Sequence, residues 1–484
     1  MRGLALRSLS FGRLAVLSAL AAAGLAAGCT DSPRTSEPVF ATAGAGGGGT
    51  TGGPGGNPGQ GLGGSTSGGQ TGQGGQAGEP AATGAGGVIV ATGGSGGSGG
   101  AAGSPAVLVP PQPIGLVSLN SDYQTTSLSL LSTSGGSVKG DCVHSSTLGN
   151  GTSKTISGDA VLPSQPQLGG QIVVVDRGNG ALTFVDPSGC FITRQVAIPG
   201  GAKTDPHDVV MLSDHRAYVT RYQANATAAN VQQAGNDVIA IDPTTGGYVS
   251  RISVDMYAST GAGAQVLARP DRALIADGRV VVSLNQIDAS YATYGDGAVV
   301  VIDPTTDKIV ASVALPGLYD CEGMDFVAAS HMLLVACGGA FGGRDQPLQS
   351  GIAVVDLSAN PPRLDHVVSS VAFDGHPVSF GWVLAAPSAA APNRAFAATY
   401  DPKGIAPDAL FQFDFASGAV VPVTTSAPFS LGSAALADQL LFVPEALFTA
   451  PKVQLLDVTG TPQPKSGFTP DPKNGLPPRA IVWY

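Results

Sequence analysis

Charge is scarce in this 484-residue chain: only 12% of its residues are charged, and no lysine or arginine occurs between Arg34 and Lys139. The charge that is present leans acidic, 24 basic residues against 34 acidic ones, for a net −10. An acidic surface excludes nucleic acid as a partner and excludes electrostatic docking on anionic lipid, since both need a basic face. Cysteine is rare as well, at five residues with no CxxC pair, which removes the usual dithiol redox centre. No HExxH or Walker sequence is present, and the run GAGGGG lacks the strand–helix context of a nucleotide fingerprint. The longest apolar run, Leu14 to Gly28, has 15 residues and is too short to span a bilayer comfortably.

That apolar run follows Arg2, Arg7 and Arg13, with no acid among them, which is the order of an export signal over residues 1–28. It ends in Leu25-Ala26-Ala27-Gly28-Cys29, which resembles the lipobox of bacterial lipoproteins, with Ala26 where that family carries leucine. The resemblance implies cleavage before Cys29 and a lipid on its thiol. It also implies anchoring in the cell envelope through that lipid alone. Thr30 is not the aspartate of an inner-membrane retention signal, so the outer membrane is expected, on its periplasmic side or at the cell surface. Losing the signal leaves 21 basic against 34 acidic residues, a net −13. It also leaves four cysteines for an oxidising compartment, enough for two disulfides in any of three connectivities. Residues 29–104 should form no core: from Ala41 to Ser104, 29 of 64 residues are glycine. Such a stretch cannot offset the entropy of ordering its backbone. It reads as a disordered tether with a reach on the order of 50 Å.

The folded region, 105–484, repeats one pattern. Ala298 to Leu315 (AVVVIDPTTDKIVASVAL) is a near copy of Asp237 to Val254 (DVIAIDPTTGGYVSRISV). Apolar alternation ending in aspartate and then a turn recurs at Asp186, Asp242, Asp303, Asp356, Asp414 and Asp457, with Ser132 in a degenerate first copy. The spacings run from 43 to 61 residues, so seven units fill the chain. Each unit reads as four short strands: HDVVML, the turn SDH, RAYVTRY, a polar insertion, DVIAID, the turn PTTGG, and YVSRISV. Four-stranded antiparallel sheets repeated radially are the blades of an all-β, seven-bladed β-propeller. The closing PPRAIVWY matches the first strand of a unit, which the N-terminal unit lacks. It should complete blade 1 and so remove the open edge of the ring.

On AYVTRY (Ala217 to Tyr222), the VIDPTT turns and PHDVVMLSD, the chain resembles the YVTN-type seven-bladed propeller repeat family, departing from it at Arg221. That family uses the repeat as a scaffold for diverse activities, so the resemblance implies a fold and no single function.

First–second links such as SDH and ADG and third–fourth links such as PTTG are short, whereas five second–third links are long: Arg221 to Asp237, Asn285 to Ala298, Gly338 to Gly351, Tyr400 to Ala409 and Pro444 to Lys452. The long links share one face with the connections between blades. Binding residues accumulate on such loops. Tyr222, Tyr291, Tyr294 and Tyr400 stand there as candidates for a recognition rim. The inter-blade links place His207, Asp208, Arg269, Glu322, His376 and Arg479 toward the channel mouth. His207, Glu322 and His376 could hold a divalent metal, and Arg269 and Arg479, with Asp208 beside them, could form a ligand site in which the arginines clamp an anion. Cys321 and Cys337 end adjacent strands of blade 5 on the same face and should pair, leaving Cys142 with Cys190.

The leading expectation is a monomeric, tethered binding module for a protein, a glycan or a small anionic ligand, working through the long-loop face. The alternative is a metal-dependent lyase or lactonase-type hydrolase at the channel mouth, implied by likeness to virginiamycin B lyase and lactonase-type propellers. A plain structural spacer fits the tether and leaves the loop asymmetry without a reason.

Overall fold

The computed structural model describes residues 108–149, 152–261 and 264–484. The export signal, Cys29 and the glycine-rich stretch lie outside the described residues. The rest is a ring of seven four-stranded antiparallel sheets. Blade 2 comprises Ala160–Val161, Ile172–Asp176, Ala181–Asp186 and Phe191–Ala197. Blade 3 follows with Pro206–Ser213, Arg216–Ala224, Gly235–Ile241 and Tyr248–Ser253. Blade 4 is Pro270–Ala276, Arg279–Leu284, Gly297–Asp303 and Lys308–Leu315, and blade 5 is Cys321–Val327, Met332–Cys337, Gly351–Asp356 and Arg363–Ser369. Blade 6 runs Val378–Ala385, Arg394–Thr399, Asp408–Asp414 and Val420–Ser426; blade 7 runs Ala435–Ala437, Leu440–Glu445, Lys452–Asp457 and Gln463–Phe468. No helix among the described residues is long and apolar enough to cross a membrane.

The repeated aspartates have a local cause. Asp303 Oδ1 accepts from both the amide (2.9 Å) and the hydroxyl (2.7 Å) of Thr305, closing the turn between third and fourth strands. Asp242 does the same with Thr244, Asp186 with Ser188, Asp356 with Ser358 and Asp457 with Thr459. These hydrogen bonds hold all five carboxyls below the ordinary aspartate range. In the degenerate copy the Ser132 hydroxyl takes the amide of Ser134 instead.

Alternation along the middle strands joins the blades. Val280, Val282 and Leu284 pack on blade 3 with Val210, Tyr218 and Val238, while Val281 faces the other way onto Leu333 and Val335 of blade 5. Seven such clusters form, one per blade junction, because strands buried on both faces can be apolar at every position. A fully buried aliphatic side chain contributes about 1.5–3 kcal/mol.

The last cluster closes the ring, setting Leu116 and Ile481 against Phe442 and Leu455 of blade 7. Blade 1 is built from Leu116–Ser121, Thr126–Leu131 and Ser137–His144, with the C-terminal Pro478–Trp483 as its innermost strand. That strand also reaches blade 7, where Ser433 donates to the Arg479 carbonyl (3.0 Å) and Ile481 donates to the Ser433 carbonyl (2.9 Å). Two disulfides are present: Cys321–Cys337 ties two strands of blade 5, and Cys142–Cys190 ties the outer strand of blade 1 to a turn of blade 2.

The two faces differ. Leu108 bridges to Gly278 in a short turn of blade 4, and the Ile114 amide donates to the Tyr484 carbonyl. Residues 108–114 therefore run along the short-turn face, where the C-terminus also ends. The long second–third loops and the inter-blade links occupy the opposite face.

Candidate functional site

At the start of the innermost strand of blade 3, Asp205 adopts a left-handed backbone (φ 45°) and turns toward His207. The imidazole is buried between two carboxylates, with Nδ1 3.0 Å from Asp271 and Nε2 3.3 Å from Asp205. Its ring stacks on Tyr222 at 4.3 Å between centroids and 3° between planes. Burial opposes the charged form, but Asp271 and Asp205 outweigh it and push the pKa of His207 up to about 9. At neutral pH this residue is an imidazolium clamp, whereas a metal-ligating histidine must be neutral.

Glu322 belongs to a different group. The Asn285 amide nitrogen lies 3.1 Å from Glu322, 3.0 Å from Asp320 and 3.3 Å from Asp271. Burial, with the charges of Glu322 and Asp271, lifts the Asp320 carboxyl well above the usual range. His376 stands apart on the link into blade 6, half-exposed and 3.2 Å from Asp374. Of the three residues expected as a metal set, His207 and Glu322 are linked through Asp271 and Asn285, while His376 pairs with Asp374 on another link. Among the described residues no group of three or more His, Cys, Asp or Glu side chains is placed to hold a metal ion.

Arg269 and Asp208 were expected to face a ligand, and the structure uses both internally. Arg269 is fully buried and donates to the carbonyls of Ile287 and Asp288, the Gln223 amide oxygen and the Tyr291 hydroxyl. Its guanidinium lies over the rings of Tyr291 (4.1 Å) and Tyr222 (4.8 Å). Asp208 binds three blades together, accepting from Ser164 of blade 2, Val209 of its own strand and Ala273 of blade 4. The tyrosines are struts more than rim. Tyr222 and Tyr400 are buried, Tyr400 takes the Gln346 amide, and Tyr291 and Tyr294 are half-buried beneath their loop. Arg221, the departure from the YVTN pattern, forks onto both oxygens of Asp237 (2.7 and 2.8 Å) and pins the long loop of blade 3.

Arg479 does reach the channel. Its Nε donates to the Ser121 carbonyl (2.9 Å), and the guanidinium lies over Tyr123 (4.4 Å) and Phe448 (5.3 Å). Two further arginines join it: Arg177 on Asp159 (2.8 Å), and Arg272 beside Asp271 (3.4 Å). All three line a cavity of about 310 Å³ along the ring axis. Its wall includes both tryptophans of the chain, Trp382 and Trp483. Further in, Asp325 accepts from the amides of Phe326 and Ala385, and burial raises its pKa to about 6.

No protein-family model and no curated protein matches this sequence. Similar solved structures exist. A "putative 6-phosphogluconolactonase" of Bacteroides uniformis is 13% identical, with a TM-score of 0.48 over 76% of this chain and 99% of that one. A second protein so named, from Bacteroides fragilis, is 11% identical with a TM-score of 0.46, over 76% and 97%. AztD of Citrobacter koseri is 15% identical with a TM-score of 0.41, again over 76% and 97%. Likeness at this level carries no functional argument, so the chain's own residues must supply it.

Sequence reading missed Arg177, Trp382, Tyr123 and Phe448 because it sought channel residues only just ahead of the first strands. Arg177 and Tyr123 follow second strands, and Trp382 lies inside a first strand. Because first strands begin and second strands end on one face, the residue after each second strand is a candidate too.

Proposed function

We propose that this protein is an envelope-tethered binding module that engages its partner on the long-loop face. The observation that carries the reading is the group of exposed apolar side chains that the long loops and inter-blade links hold out on that face. Met256 (83% exposed), Ile405 (80%), Leu348 (70%), Phe448, Phe341 and Tyr123 all stand on that face. The short-turn face carries the Asp-x-Ser/Thr turns and the C-terminus, and its own exposed apolar residues, Val109 and Ile114, belong to the N-terminal segment laid along it. Exposed apolar residues gathered on one face mark interaction surfaces. On the same face the long loops of blades 3 and 4 are held by buried guanidinium groups, Arg221 on the Gln232 carbonyl and Arg269 on the Ile287 and Asp288 carbonyls, so that part of the surface is organised before binding. Acidic charge makes lipid and nucleic acid poor partners and leaves a protein as the occupant.

Combined Met256→Ser, Ile405→Ser and Phe448→Ser should abolish capture of a partner protein from envelope extract by the tagged chain, which the wild type should retain. Val249→Ser, Val310→Ser and Val421→Ser, which are 46–49% exposed on outer strands, should leave it unchanged. Equal loss from both sets would sink the assignment.

A further inference from the structure

The axial cavity has a chemistry of its own. Arg177, Arg272 and Arg479 come from blades 2, 4 and 1 and meet at the mouth on the long-loop face. Each is fixed in place: Arg177 by Asp159, Arg272 by Asp271 and the His207 carbonyl, Arg479 by Ser121 and two aromatic rings. Asp159 and Asp325 share the wall with them, and Asp205, Asp208 and Asp271 stand behind it within Coulombic reach of Arg177 or Arg272. Below the mouth the wall turns apolar, with Leu119, Met324, Trp382, Ile481 and Trp483.

The buried polar atoms on the wall share one sign. The Trp382 indole N–H and the Gln165 amide nitrogen are buried without a hydrogen-bond partner, and both are donors. Asp325 has both oxygens engaged by backbone amides. A buried donor without a partner costs about 1–3 kcal/mol. The cavity therefore lacks an acceptor and not a cation. At about 310 Å³ it stands at the lower end of the volumes that enclose small organic ligands.

From this we infer that the channel is a binding site for a compact organic carboxylate with an apolar body. The anionic head sits among Arg177, Arg272 and Arg479, and the body lies against Trp382 and Ile481. Anion and guanidinium form charge-assisted hydrogen bonds, while the apolar body gains by leaving water. The inference rests on the long-loop face being the binding face and assigns it a small ligand in addition to a partner.

The chain supplies its own reporter, because its only two tryptophans both line this cavity. The purified full chain bearing Cys29→Ala, in detergent-free buffer, is titrated with straight-chain carboxylates from hexanoate to dodecanoate, and with benzoate. Octanamide and octylammonium serve as controls. The expected result is a saturable change in tryptophan emission with at least one carboxylate and at least tenfold weaker binding of the amide. Arg479→Gln should lose at least tenfold in carboxylate affinity. Ala434→Leu, which narrows the cavity without touching charge, should weaken carboxylate and amide alike. No saturable change with any carboxylate would overturn the inference. So would equal affinity for octanamide, or unaltered binding by an Arg479→Gln protein that melts as the wild type does. This titration reads the channel of the isolated protein and the serine variants read partner retention, so either can fail while the other stands.

Discussion

Raising the pH should unlock the His207 clamp, and the size of the effect follows from its surroundings. The imidazole pKa rises from 6.5 in an unfolded chain to about 9 between Asp271 and Asp205. A proton held more tightly in the folded state stabilises that state whenever it is bound. The contribution is complete below pH 6.5 and is lost as pH climbs through 9. At 1.36 kcal/mol per pKa unit the loss is about 3 kcal/mol. Asp320 also releases its proton less readily when folded, so the raw pH profile adds several groups. The difference between wild type and His207→Gln isolates the histidine. At pH 6 the variant leaves Asp205 and Asp271 buried without their cation and should be less stable by about 3–5 kcal/mol. Between pH 6.5 and 9 the gap should shrink by about 3 kcal/mol as the wild type loses its own clamp. Urea unfolding at half-unit pH steps, followed by far-UV circular dichroism, measures both quantities. A gap that stays constant from pH 6 to 9.5 would refute the reasoning, because it would mean that the ring is neutral throughout.

Removing Pro478 to Tyr484 should lower the melting temperature of the whole ring in one transition, since Ile481 alone buries about 2–3 kcal/mol; calorimetry showing an unchanged main transition would count against the closure. Joint Cys142→Ser and Cys190→Ser substitution opens a 48-residue loop and should cost about 4 kcal/mol by loop entropy. Cys321→Ser with Cys337→Ser, spanning 16 residues, should cost about 3 kcal/mol in the same urea assay. Arg269→Met strands the Ile287 and Asp288 carbonyls, so hydrogen exchange at residues 287–291 should accelerate, with at least about 2–3 kcal/mol lost overall.

The ring was legible in the sequence because its two determinants are local. An aspartate that takes the hydroxyl and amide two residues ahead writes the same short turn in blade after blade. Alternation that serves both neighbours writes the middle strands. The innermost strand of blade 2 was not legible, because only Ala160–Val161 pair with the sheet. The chain then leaves to cap other blades, with the Gln167 side chain taking the Met211 amide and Gln165 taking the Ile275 amide. Site residues fared unevenly for a related reason. Their partners lie on other blades: His207 meets Asp271 and Arg269 meets Gln223, which no local pattern announces. The tyrosines looked exposed because their loops are polar, yet the hydroxyls of Tyr291 and Tyr400 find buried partners beneath those loops.

The central claim is that binding belongs to one face. A photo-crosslinking residue placed at Met256, Ile405 or Phe448 samples the long-loop face, and one at Thr305, Ser417 or Thr459 samples the short-turn face. Irradiation of intact cells, followed by blotting of the tagged chain, should give discrete adducts from the first three positions and none from the other three. Adducts of equal yield from both faces, or from the short turns alone, would contradict the account.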